Sequence, residues 1–168
     1  MMIYGQLKLI NNGFLPILIM IEIIPVVKEL WDKQANCAQS SCSGLLLHYN
    51  FKHASKILFD SLKCFGGGFG EGMICGAVSG SITALSYLGT TKELSEDKIK
   101  ELTAELKSKF RSEFEFLDCY SLKKPFTDKI TPEMSEGEIE LIDQGRRQKC
   151  TRMVAFGSNL VEKLINSN

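Results

Sequence analysis

Residues 64–80 read CFGGGFGEGMICGAVSG, which places seven glycines and two cysteines within seventeen positions, Cys64 to Gly80. Glycine at that density sacrifices backbone entropy, and its purpose separates two fold classes. A phosphate cradle would imply a strand before the loop and an α/β sheet. No Gly-x-x-x-x-Gly-Lys-Ser/Thr is present, and after Gly68 and Gly70 the last glycine of a Gly-x-Gly-x-x-Gly register is replaced by Met73. No strand precedes the loop. The stretch therefore reads as the turn between two helices, one from about Lys52 to Phe65 and one from about Cys75 to Leu88 that Gly89 closes.

Working outward, the remaining periodicities are helical too. A helix enters near Pro25 and continues, with or without a break around Asp32, to about Tyr49. Its apolar stripe is Trp31, Ala38, Cys42, Leu45 and Tyr49, with Cys37 on the flank beside Ser41 and Gly44. Ser95 is the expected N-cap of a helix whose core stripe is Ile99, Leu102, Leu106, Phe110 and Leu117. KKPFTDKITPEM reads as a loop, with Thr131 as cap and Pro132 at the first position of the last helix. Along that helix Ile139, Ile142, Arg146, Cys150, Met153, Gly157, Leu160 and Leu164 share one stripe. The expected fold is an all-α, single-domain bundle of about five helices with a glycine-rich interhelical loop.

The chain has 168 residues, long enough for one domain with a real core. Twenty basic and twenty acidic residues cancel, and no Lys/Arg run interleaves with aromatics, which argues against nucleic acid as a partner. Eleven of these forty charges lie at or before Gly89, so the first half should supply most of the buried surface. The N-terminal GFLPILIMIEIIPVV is broken by Pro16, Glu22 and Pro25 and falls short of a bilayer span. A cytoplasmic chain with reduced thiols is expected, with residues 1–19 an extension outside the fold and 20–168 the helical domain.

Four of the six cysteines invite chemistry. Cys75 stands at the start of a helix, where unpaired N–H groups favour its thiolate. Behind it Gly76, Ser79, Gly80 and Thr83 form a small-residue face, and Ser40, Ser41 and Gly44 form another around Cys37. Packing one face on the other would bring Cys37 and Cys75 together. Cys150 follows Arg146 and Arg147 by one helical turn, which supplies a counter-charge for a thiolate and a reason for an arginine in an apolar stripe. Cys119 follows FEFLD and says little alone. Cys42 reads as core and Cys64 as an ordinary helix end. His48 is about 16 Å along a continuous helix from Cys37, too far to share a metal, and His53 reads as surface. Neither Cys-x-x-Cys nor Cys-x-x-Cys-His occurs, so c-type haem is not signalled.

NCAQS at 36–40, GGGFGEGMICGAVSG at 66–80, FLDC at 116–119 and RRQKCTRMV at 146–154 together resemble the landmarks of the C_GCAxxG_C_C family of redox-active helical proteins. The resemblance runs from about Val26 to the C-terminus. It implies that Cys37, Cys75, Cys119 and Cys150 are the functional set, supported by Gly76, Gly80, Arg146 and Arg147, with Cys42 and Cys64 additional. It also suggests a relation to split-Soret cytochromes, but without their haem-attachment motif. The leading expectation is that the four cysteines converge to hold an iron–sulfur cluster for electron transfer, ahead of a structural zinc. A second is a thiol–disulfide oxidoreductase using Cys37/Cys75 and Cys119/Cys150 as pairs. A third is a non-catalytic helical interaction module. The redox partner and oligomeric state are open, and a membrane partner is not expected.

Overall fold

In the computed structural model, residues 23–168 are described, and they form seven α-helices and one 3-10 turn. The expected extension, residues 1–19, lies outside them. Among the described residues there is no strand, only one isolated antiparallel bridge between Ile74 and Asp118.

The N-terminal helix expected to reach Tyr49 is two helices, α1 (Pro25–Asp32) and α2 (Cys37–His48). The break has two local causes. Gln34 takes a left-handed conformation, φ +66°, and Asn36 restarts the helix with a full capping box, accepting from the amides of Ala38 and Gln39 while Gln39 accepts from its own N–H. α2 has no solvent face along most of its length, with Ala38 through Leu46 all buried. It is the central helix, packed on α1, α3 (Lys52–Ser61), α4 (Gly76–Thr91) and α7 (Glu136–Asn166). Each leucine so enclosed, such as Leu45 or Leu46, contributes about 1.5–3 kcal/mol. The serines that would otherwise be costly inside are partly paired: Ser43 and Ser55 donate to one another's carbonyl oxygens across α2 and α3.

α3 ends at Ser61 and is followed by the 3-10 turn Lys63–Phe65, then by the glycine loop. The loop is curled, not slack. Gly67, Gly68, Gly70 and Gly72 all have positive φ, and a Cβ on Gly68 would lie 2.5 Å from the backbone N and O of Met73. Phe69 also adopts φ +60° and packs on Phe65, with ring centroids 4.4 Å apart.

α4 runs past its expected end. Gly89 lies inside the helix, where a Cβ would meet Ile99 Cγ1 at 2.9 Å, so it serves close packing on α5 (Glu96–Phe114), not termination. Ser95 caps α5 as expected, accepting from Lys98 N–H. Leu102, Leu106 and Phe110 are buried along it, with Phe114 completing the stripe, and Leu117 falls beyond the helix end.

The segment read as a loop, residues 123–134, begins inside a further helix, α6 (Cys119–Thr127), capped by Asp118. Pro125 stands inside it, near the C-terminal end, where little helix remains to be disrupted. The last helix begins at Glu136, with Ser135 and Glu138 as a capping box, four residues later than the Thr131–Pro132 reading. Pro132 instead lies in the connecting turn. These breaks and the extra helix raise the total above the expected five.

Candidate functional site

Three of the four landmark cysteines head helices. Cys37 is the first residue of α2, Cys75 the N-cap of α4 and Cys119 the first residue of α6. Two features bring these helix starts together. The first is the Ile74–Asp118 bridge, in which Cys75 N–H donates to Leu117 O at 2.8 Å and Cys119 N–H donates to Met73 O at 2.6 Å. It fixes the starts of α4 and α6 side by side. The second is the small-residue seam between α2 and α4. A Cβ on Gly76 would lie 3.0 Å from Cys37 Cβ and from Ala38 N, and one on Gly80 would lie 2.4 Å from Ala38 O. Only glycine permits this approach.

Cys150 reaches the same region from α7, which docks its own glycine, Gly157, against Ser81 and Ala77 of α4. Cys75, Cys119 and Cys150 are buried, and Cys37 is half-buried. All four are free thiols, near enough that Cys37 feels the charge of each of the other three. Cys37 and Cys150 shift one another's acidity more than any other group does. The strongest mutual influence is thus between Cys37 and Cys150, whereas the sequence had suggested Cys37/Cys75 and Cys119/Cys150 as pairs.

The environments tune these thiols in opposite directions. Donation by the Cys37 thiol, together with Lys123, Arg146 and Lys149, brings Cys150 down to about 7 against the opposing effect of burial. The interaction with Cys150, in which Cys37 holds the proton, and burial push Cys37 well up. Cys75, 1 % exposed, is pushed up to about 12 because burial outweighs the favourable N–H groups of Ala77 and Val78. Helix-start position alone had suggested an acidic Cys75; desolvation decides otherwise. Arg146 is half-buried, donates its Nε to Asp143 Oδ1 at 2.9 Å, and senses both Cys150 and Cys119.

Above Cys37 and Cys150 lies a cavity of about 480 Å³, whose wall includes Trp31, Asn36, Lys123, Arg146 and Arg147. Trp31 is fixed there by donating its indole N–H to Thr151 Oγ1 at 3.0 Å, which ties α1 to α7. Lys123 went unrecognised in the sequence because the second half of α6 was read as loop; the Asp118 cap ahead of Ser121 and Leu122 was the available signal. Cys42 is fully buried core and Cys64 is exposed. His48 faces Glu162 at 3.0 Å, and His53 is exposed.

Among the described residues, no group of three or more His, Cys, Asp or Glu side chains stands in an arrangement that could hold a metal ion. No helix among them is long and apolar enough to cross a membrane.

No curated protein and no solved structure matches the chain. Residues 35–164 match the model of the family described as "Putative redox-active protein (C_GCAxxG_C_C)", a span that starts just before Cys37, includes all four converging cysteines and ends within α7. The chain belongs to the C_GCAxxG_C_C family.

Proposed function

We propose that this protein is a dithiol redox protein in which Cys37 and Cys150 form the working pair. What supports this reading is that Cys37 and Cys150 line one cavity and tune each other in opposite directions, Cys37 upward and Cys150 down to about 7 with help from Lys123, Arg146 and Lys149. A thiolate is the attacking form in disulfide exchange, and an attacker with pKa near ambient pH combines population with nucleophilicity. Cys150 attacks a sulfur of an external disulfide, whose S–S bond breaks and whose other half leaves as thiolate. Cys37 then loses its proton to solvent and attacks the Cys150 sulfur, which closes the intramolecular disulfide and releases the second thiolate. Two electrons pass from the protein to the disulfide substrate. Cys75 and Cys119 line the same buried region as neighbours of the pair.

Mild oxidation of the reduced chain, followed by mass spectrometry of non-reduced peptides, should find Cys37 linked to Cys150 and four free thiols remaining out of the six cysteines. A dominant Cys37–Cys75 link, or intermolecular disulfides alone, would overturn the pairing.

A second reading has its own support in the mutual influence of all four thiols. Four cysteines gathered from four helices are the donor type that iron–sulfur clusters and structural zinc take. As arranged, they do not form a metal-holding group, so this reading requires the side chains to turn toward a common centre. Iron and sulfide analysis with an absorption spectrum after anaerobic reconstitution tests it: protein that returns with no bound metal and no chromophore removes it.

A further inference from the structure

The cavity over Cys37 and Cys150 carries a charge that thiol exchange by itself does not require. Three cationic side chains, Lys123, Arg146 and Arg147, and one carboxylate, Asp32, line it, and Asp143 close by feels the charge of all three cations. Asp32 is engaged by Lys28 one turn earlier on α1, and Arg146 is turned in part toward Asp143. Lys123 and Arg147 make no ion pair among the described residues. At the start of α2 the amides of Ala38 and Gln39 are already taken, since both donate to Asn36 Oδ1. The uncommitted charge of the cavity is therefore cationic, and it sits on side chains beside the sulfur pair. At about 480 Å³ the space is of small-molecule size.

The geometry points to a substrate class: a small disulfide bearing carboxylates, seated with its carboxylates on Lys123 and Arg147 and one sulfur over Cys150. This rests on the dithiol reading above. The planar fork of arginine suits a carboxylate in two-point contact, whereas the lysine acts as a point charge. The half of the substrate held by these cations stays in the cavity as the mixed disulfide with Cys150. The other half departs as thiolate, and attack by Cys37 releases the held half as the second thiolate. Carboxylate recognition thus keeps the mixed disulfide in place until Cys37 resolves it.

The test compares two probes on the full-length reduced chain carrying Cys64→Ser, which removes the one exposed thiol. Glutathione disulfide presents carboxylates, and bis(2-hydroxyethyl) disulfide is neutral; each rate is divided by that probe's rate with a free small thiol. Glutathione disulfide should be preferred by roughly tenfold, as two partly exposed ion pairs permit. Arg147→Gln and Lys123→Gln should each lower that ratio by roughly threefold, with the folded state checked by circular dichroism. The preference should also collapse at about 1 M salt, where the screening length shrinks to about 3 Å. Equal normalised rates that ignore salt would overturn the substrate class and leave the dithiol reading standing. Failure of both probes to close the Cys37–Cys150 disulfide would remove both.

Discussion

Cys150 and Cys75 show one side chain tuned in two directions by its surroundings. Both are buried, which alone raises a thiol. At Cys75 burial prevails and the value reaches about 12, whereas at Cys150 the Cys37 donor and nearby cations reverse it to about 7. Alkylation of native protein in a Cys64→Ser background should therefore report Cys150, with a rate that climbs through pH about 7. Peptide mapping should find Cys75 unmodified over the same period. Cys37→Ala removes the donor to Cys150, so the inflection should move upward toward the ordinary thiol value of 9.0. An unmoved inflection in that variant would mean that Cys37 does not set the acidity of Cys150. Arg146 gains its place in an apolar stripe at the same scale, because Asp143 and two sulfurs receive its charge.

At the scale of elements, the site is a meeting of helix starts. α2, α4 and α6 each begin at or beside a cysteine, and the Ile74–Asp118 bridge and the Gly76/Gly80 seam hold those starts together. Gly80→Ala would put a methyl 2.4 Å from Ala38 O, a backbone atom that cannot turn aside. Forcing α2 from α4 should cost about 1–3 kcal/mol and should also disturb the Cys37 side of the dithiol. Gly137→Ala is the contrasting case. Its Cβ would meet nothing within 4 Å, and the substitution should gain up to about 1 kcal/mol from helix propensity. Urea denaturation of the two variants should move the midpoint in opposite directions; a neutral Gly80→Ala would show that the seam has slack. Ser135 and Glu138 cap α7 independently, so that helix should keep its start in both variants.

For the whole molecule, the buried thiols tie stability to pH. Cys42 and Cys75 remain neutral in the fold up to about 12, while the same thiols in the unfolded chain ionise near 9.0. Their stabilising contribution is complete below pH 9.0 and is lost as pH rises from there toward about 12. Cys37 adds in the same sense. Cys150 acts oppositely: its contribution is complete above 9.0 and fades as pH falls from 9.0 through about 7. The raised thiols outnumber the lowered one. In the presence of reductant, unfolding free energy should therefore decline between pH 9.0 and about 11. Cys42→Ala should make that decline shallower by about 1.4 kcal/mol per pH unit, whatever it does to the absolute value. An identical slope in wild type and variant would show that Cys42 titrates in the fold as it does when unfolded.

Much of the architecture was legible because it is written in local terms. The failed phosphate register at Met73 and the helical periodicities established an all-α chain, the Ser95 cap is where it was expected, and Gly76 and Gly80 do let α4 close on α2, though at Cys37 and Ala38, while Gly44 packs on Val27 of α1. The four-cysteine set was legible only as a family pattern, since its members lie far apart in the sequence. Local signals misled where tertiary packing overrode them. Pro125 suggested a loop, yet the Asp118 cap and burial of Leu122 sustain a helix there, and with it comes Lys123. Gly89 suggested a stop, yet it serves contact with Ile99. By itself the sequence determined the helical class, the boundaries set by caps and the chemical types at the site. The tertiary structure decided which sulfur faces which, and in what charge state, because those depend on distances between helices and on burial, neither of which has a period along the chain.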